Sequence, residues 1–137
     1  MDLAVTQVDA FTDRPFAGNP AGVCLLSAPL PDDVMQNVAM EMHQAETAFL
    51  LPEGDGWHLR WFTPEVEENL CGHATLASAH VLFETGLLAP GATARFQTKS
   101  GLLTAAREAG SIVLDFPATP AEAHPASELA LKALSIS

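Results

Sequence analysis

Cys71-Gly72-His73-Ala74-Thr75-Leu76-Ala77-Ser78-Ala79-His80-Val81-Leu82-Phe83-Glu84-Thr85-Gly86 is the stretch that decides the fold. Ala74, Leu76, Ala77, Ala79, Val81, Leu82 and Phe83 place apolar side chains nearly all round a helix running from Gly72 to Thr85. Such a helix is buried on most of its sides rather than laid on a surface by one stripe. Gly86 supplies the left-handed residue that closes it. Its many small residues let other backbone come close, so a sheet curled around it is the expected neighbour.

Sheet-forming sequence lies on both sides. Leu3 to Phe11, Ala21 to Leu26 and Thr47 to Leu51 are short, apolar and rich in Val, Thr and Leu, the last ended by Pro52. Glu53-Gly54-Asp55-Gly56 is a hairpin turn into Trp57–Phe62, where Trp57, Leu59 and Trp61 alternate as in a half-buried strand. Downstream, Ala94–Thr98, Leu102–Arg107 and Ser111–Phe116 are separated by turns at Gly101 and Gly110. Between the second and third strands, Pro31 to Met42 reads as a helix. Asp32 and Asp33 suit its positive end, and Val34, Val38 and Met42 share a face. The expected fold class is α+β, a twisted, mostly antiparallel or mixed sheet wrapped around a central buried helix. Residues 1–117 form that domain. Pro117, Pro120 and Pro125 then mark a linker, and 118–137 is linker plus the truncated start of a second domain.

Composition narrows the function. The 137 residues carry 17 acidic against six basic side chains, a net charge of −11, and so lack the cationic surface that neutralises phosphates. No nucleic-acid partner is expected. Cys24 and Cys71 are too few for a disulfide scaffold. No apolar run approaches the ~18 residues of a membrane span, and no basic segment precedes an apolar one at the N-terminus. A cytoplasmic location is therefore the default expectation, with no membrane partner. No glycine-rich phosphate loop is present, so no nucleotide cofactor is called for.

Two places could carry chemistry. Glu46 stands among Ala45, Ala48, Phe49, Leu50 and Leu51, an environment that draws a carboxylate out of water. Desolvation penalises the charged form, which is how carboxyl groups become proton shuttles near neutrality. On residue type alone, a solvated glutamate at a strand start reads at least as well. Gly72 and His73 open the buried helix, where free N–H groups and the dipole favour an anion and Gly72 admits it close to the backbone. His73 serves there either as a helix-terminal donor or as a group that steers a proton. Cys71-Gly72-His73 offers zinc only two ligands where three or four are wanted. Glu67 and Glu68 read as solvated loop charges, and His43, His58, His80 and His124 show no ligand spacing.

Three segments, in order and with spacing kept, carry a family resemblance. Val8-Asp9-Ala10-Phe11 with Gly18-Asn19-Pro20-Ala21-Gly22-Val23 is similar to the opening of the phenazine-biosynthesis PhzF-type isomerases. Ala45-Glu46-Thr47-Ala48-Phe49-Leu50 resembles their catalytic-glutamate strand. Arg60-Trp61-Phe62-Thr63-Pro64, Glu67 and Leu70-Cys71-Gly72-His73-Ala74-Thr75-Leu76-Ala77 resemble their strand–loop–helix signature. The resemblance covers residues 1 to about 117. It implies the diaminopimelate-epimerase-like fold, no cofactor and no metal, and a small carboxylate-bearing substrate. By resemblance Glu46 is the acid and base, His73 acts beside it, and Asn19, Gly72 and Ala45 contact substrate. Asn19, between Gly18 and Pro20, is otherwise simple turn chemistry. In related epimerases and racemases a cysteine at this helix start moves the Cα proton, and a helix dipole there would lower the thiol pKa. Cys71 is thus a candidate base or a buried, inert thiol.

The chain departs from the family where Ala45 replaces a frequent Ser, and where Glu68 and Asn69 replace an apolar residue and an acid. The family's second domain, whose Gly-Ser-Gly-type loop and aspartate complete the pocket, has no counterpart in residues 117–137. The half-domain is therefore expected to dimerise or to dock a missing C-terminal domain. It should be inactive alone, or act as a binding or assembly module.

Overall fold

The structure, a computed structural model, describes residues 2–135. Its strands are β1 (Val5–Ala10), β2 (Asn19–Leu25), β3 (Glu46–Glu53), β4 (Gly56–Phe62), β5 (Glu67–Glu68), β6 (Thr93–Thr98), β7 (Gly101–Glu108) and β8 (Ser111–Asp115). Three helices, α1 (Asp32–Met42), α2 (Gly72–Glu84) and α3 (Glu128–Ala133), complete the described elements. The strands form one sheet in the order β1-β2-β3-β4-β6-β7-β8, with the short β5 also paired to β4. Pairing is parallel between β2 and β3 and between β4 and β6, and antiparallel elsewhere. The sheet is mixed, as expected.

The sheet curls around α2, which touches β1, β2 and β3 on one side and β7 and β8 on the other. Nine of the helix's 13 residues are buried, so the all-round apolar pattern is read correctly. Only Gly72, Leu76, His80 and Glu84, spaced four apart, are not buried, and this stripe faces the gap between the free edges of β1 and β8. Two buried hydroxyls in α2 are satisfied within the helix. Thr75 Oγ1 donates to the Cys71 carbonyl at 2.6 Å and Ser78 Oγ to the Ala74 carbonyl at 2.7 Å. The polar residues of a buried helix therefore leave no orphaned hydroxyl, and the core on this face is otherwise apolar, with Trp61, Leu59, Phe96, Leu82 and Leu103 at its centre.

A smaller core lies on the opposite sheet face, where α1 packs Met35 and Ala39 against Phe49 and Phe62. This corrects the expected face of α1. Val34, Val38 and Met42 are only half-buried, because the helix axis is rotated by one residue so that Met35 and Ala39 point inward. Pro52 does not end its strand either. It stands within β3 opposite Trp57, beyond the last β2 partner, at an alternate position whose N–H would point away from β4. A proline there removes no ladder bond. The two-residue β5 escaped the sequence reading because it is too short to show a period. After β8, residues 117–127 form no regular structure, and α3 has no buried residue. The last two residues of the 118–137 segment lie outside the described residues.

Candidate active site

The sequence around Glu46 places it at the first position of β3, directly after the bend that follows α1. Glu46 registers with Ala21 of β2, so it shares the face that Ala21, Ala48 and Leu50 present to α2. Period-two alternation puts Asn19 on that same face, at the same end of the sheet, opposite Ala10. The α2 N-terminus arrives at this end. His73 therefore meets Glu46, with Gly72 one residue before it in α2 and Asn19 at the same end of β2. Ala45 is exposed in the preceding bend, and its methyl offers no polar atom.

His73 is 8% exposed, and its Nε2 lies 3.1 Å from Glu46 Oε2. The two atoms are close yet out of line, so both are buried without a hydrogen bond. Buried polar atoms are paired in the great majority of cases. Thr47 Oγ1, Trp61 Nε1 and Arg95 Nε are also unpartnered, but only Glu46 and His73 stand side by side at a helix start. On the other side of the imidazole, Nδ1 lies 3.4 Å from Cys71 Sγ. Cys71 is the N-cap of α2, and no side chain caps the helix in hydrogen-bond geometry. A Cβ built on Gly72 would meet only Phe116, at an ordinary 3.7 Å. Packing within the chain does not require glycine there, and the space is open to a ligand.

Two expectations about Cys71 need correction. Its thiol is pushed up to about 11, not lowered, because burial outweighs the pull of the nearby Ala74 and His73 N–H groups. Glu46 also joins Cys71 and His73 as a third donor within 4.8 Å, so the cluster is richer than the sequence spacing implied. Sγ contacts Nδ1 and Oε2 contacts Nε2, while thiol and carboxylate also come within that distance of each other.

Glu67 is not a solvated loop charge. Arg60 Nε and Nη2 donate to its two oxygens at 2.7 and 2.8 Å, Lys99 Nζ adds a third contact, and Arg60 also reaches Asp32 at the start of α1. The Arg60 guanidinium beside Glu67 drives the carboxyl pKa down to about 2. A Thr63-centred turn makes this pairing: Thr63 Oγ1 accepts from the Glu65 and Val66 N–H groups and folds β5 back on β4. That Thr-Pro turn was the available signal. A cleft of about 370 Å³ between β1 and β8 is lined by Asp9, Phe11, Leu76, His80 and Ser111, and it does not include Glu46 or His73. Among the described residues, no helix is long and apolar enough to cross a membrane.

The sequence profile of the family described as PhzC-PhzF, phenazine biosynthesis-like protein, matches residues 8–136. An uncharacterized isomerase of Pseudomonas aeruginosa is 53% identical over 130 residues, covering 94% of this chain and 49% of that protein. The crystal structure of a PhzF-family phenazine biosynthesis protein from Enterococcus faecalis superposes with a TM-score of 0.88 at 44% identity, over 97% of this chain and 51% of that one. A predicted epimerase from Pseudomonas aeruginosa gives a TM-score of 0.68 at 29% identity, over 81% and 41% of the two chains. The α+β, epimerase-like domain expected from the sequence is the fold found. The chain spans about half the length of these relatives.

Proposed function

This chain belongs to the phenazine biosynthesis-like protein family, and we propose that it carries the proton-transfer half of an isomerase acting on a small carboxylate-bearing substrate. The observation that carries the reading is the buried pair of unpartnered atoms, Glu46 Oε2 and His73 Nε2, at the uncapped start of α2. Glu46 as carboxylate takes a proton from a substrate carbon and becomes a neutral acid. The electron pair left behind delocalises toward the substrate's unsaturated or carboxylate group. Glu46 then returns the proton to a different carbon, so nothing is consumed. The substrate carboxylate sits against the Gly72 backbone, where helix N–H groups favour an anion. His73 Nε2 and the Asn19 side chain orient it. No step in this scheme calls for a metal or an organic cofactor.

Cys71 is a poorer base. It is 6% exposed, burial pushes its thiol pKa up to about 11, and its sulfur is engaged with His73 Nδ1. The open side is where a further domain of the kind its longer relatives have room for, or a second copy of this chain, would close the site. Leu70 and Val66, 38% and 54% exposed next to the α2 start, support such a cover.

The test is deuterium wash-in. The chain is joined to the remaining half of the Pseudomonas aeruginosa relative and incubated in heavy water with a panel of small unsaturated and α-substituted carboxylates, and carbon-bound hydrogen is followed by NMR. Exchange into at least one carboxylate is expected, and it should be absent from the isolated chain. Exchange that survives Glu46→Gln but not Cys71→Ala would replace Glu46 with Cys71 as the base. Tight carboxylate binding with no exchange at all would leave a binding module.

A further inference from the structure

Cys71 is the one group touching His73 that the proposed proton transfer leaves unused. Sγ lies 3.4 Å from Nδ1 and Oε2 3.1 Å from Nε2, and thiol and carboxylate also come within 4.8 Å of each other. A neutral imidazole carries one N–H, and the partner of one nitrogen decides which of the two holds it. If Nδ1 kept the hydrogen and turned it on the sulfur, an unprotonated Nε2 would lie 3.1 Å from the negative Glu46 carboxylate oxygen. In a buried setting that repulsion is poorly screened. The sulfur's surroundings point the same way. The His73 and Ala74 backbone N–H groups already lean toward it, short of hydrogen-bond geometry, so a third N–H would crowd three positive ends onto one atom. A thiol has one hydrogen to donate, and Nδ1 is the acceptor within its reach.

We propose that Cys71 is a positioning residue, whose S–H donates to His73 Nδ1 and thereby holds the imidazole as the Nε2–H tautomer, with that N–H presented to Glu46 and to the ligand beside it. The tautomer follows from the geometry alone. Its use in proton transfer rests on the proposed function. Because Cys71 is buried and its sulfur contacts Nδ1, it acts through the ring and not on substrate.

The experiment reads the tautomer directly. Long-range ¹H–¹⁵N correlations of the His73 ring are recorded on the chain, assigned by His73→Gln, at a pH well above the ordinary imidazole value of about 6.5. Wild type should show a protonated Nε2 and an unprotonated, pyridine-like Nδ1. Cys71→Ala, and the nearly isosteric Cys71→Val should the smaller side chain fail to pack, should move the averaged Nδ1 resonance toward the protonated position. Cys71→Ser, which restores a donor, should return it. A protonated Nδ1 in the wild type, or an unmoved tautomer in Cys71→Val, overturns the inference and leaves the proton-transfer reading standing. The expected tautomer shift, together with no deuterium wash-in by the chain joined to the remaining half of the relative, supports the inference and overturns that reading instead.

Discussion

Glu46 and Glu67 are two glutamates of nearly equal burial, their side chains 20% and 15% exposed, put to opposite uses. Glu67 is saturated. Arg60 grips both its oxygens, Lys99 adds a third contact, and its carboxyl pKa falls to about 2. Glu46 has one neighbour, His73, close by but out of line, and keeps a buried oxygen with no partner. A carboxylate whose bonds are all made within the chain fastens elements together; here it ties β5, β4 and the β6–β7 turn, with Arg60 reaching on to α1. A carboxylate left short of partners at the start of an uncapped helix is, on the function proposed above, held for something outside the chain. Burial alone does not separate the two cases. The count of satisfied hydrogen bonds does.

The largest effect should come from exchanging each glutamate for glutamine and comparing what is lost. Glu46→Gln should reduce deuterium wash-in by ~10²–10⁴-fold, the usual worth of a general acid–base group. Its folding stability should stay within about 0.5 kcal/mol of wild type, as for substitutions that remove no partner. Glu67→Gln should do the reverse: wash-in is kept, while urea unfolding reports a loss of about 1–3 kcal/mol, for an ion pair between exposed and buried in kind. If both variants lose activity and neither loses stability, the contrast is broken.

Acid sharpens the same contrast. Because the folded pKa of Glu67 lies below its ordinary value of 4.5, its contribution to stability is complete above that pH and drains away as pH falls toward about 2. Arg60→Met removes the largest cause of that depression. The variant's stability should therefore fall less steeply than wild type across that window in pH-dependent urea midpoints. Parallel profiles would show that Arg60 does not hold the Glu67 proton off.

The smallest expected effect is at Gly72. An alanine there meets only Phe116 at van der Waals distance and needs no left-handed backbone, so stability should change by no more than about 0.5 kcal/mol, upward if at all. Carboxylate affinity should nonetheless fall, because the new methyl occupies the space beside the helix N–H groups. Calorimetric titration of the exchanging carboxylate checks it, and unchanged affinity would remove Gly72 from the site.

What the chain determines locally was legible before any coordinates. The all-round apolar run from Ala74 to Phe83 announces a buried helix, because no single face could satisfy it. Period-two alternation in Trp57–Phe62 and the glycines at 54, 101 and 110 mark strands and turns through backbone chemistry that acts within a few residues. Glu46, Gly72, His73 and Asn19 were nameable through the family resemblance carried by short segments around them. Local pattern could not say that Pro52 lies within β3, since this depends on which side of the strand has a partner. Nor could it say that Met35 and Ala39 are the fully buried positions of α1, with Val38 packed at the rim of the same cluster, since one residue of helix rotation is set by the packing surface. It also gave no reason to gather Cys71, Glu46 and His73 within 4.8 Å of one another, or to set Arg60 astride Asp32 and Glu67. Those pairings join residues up to 28 apart, from different elements. Their partners become neighbours only when the sheet has curled around α2, and burial and hydrogen-bond satisfaction, which decide what each charge is for, exist only in that folded arrangement.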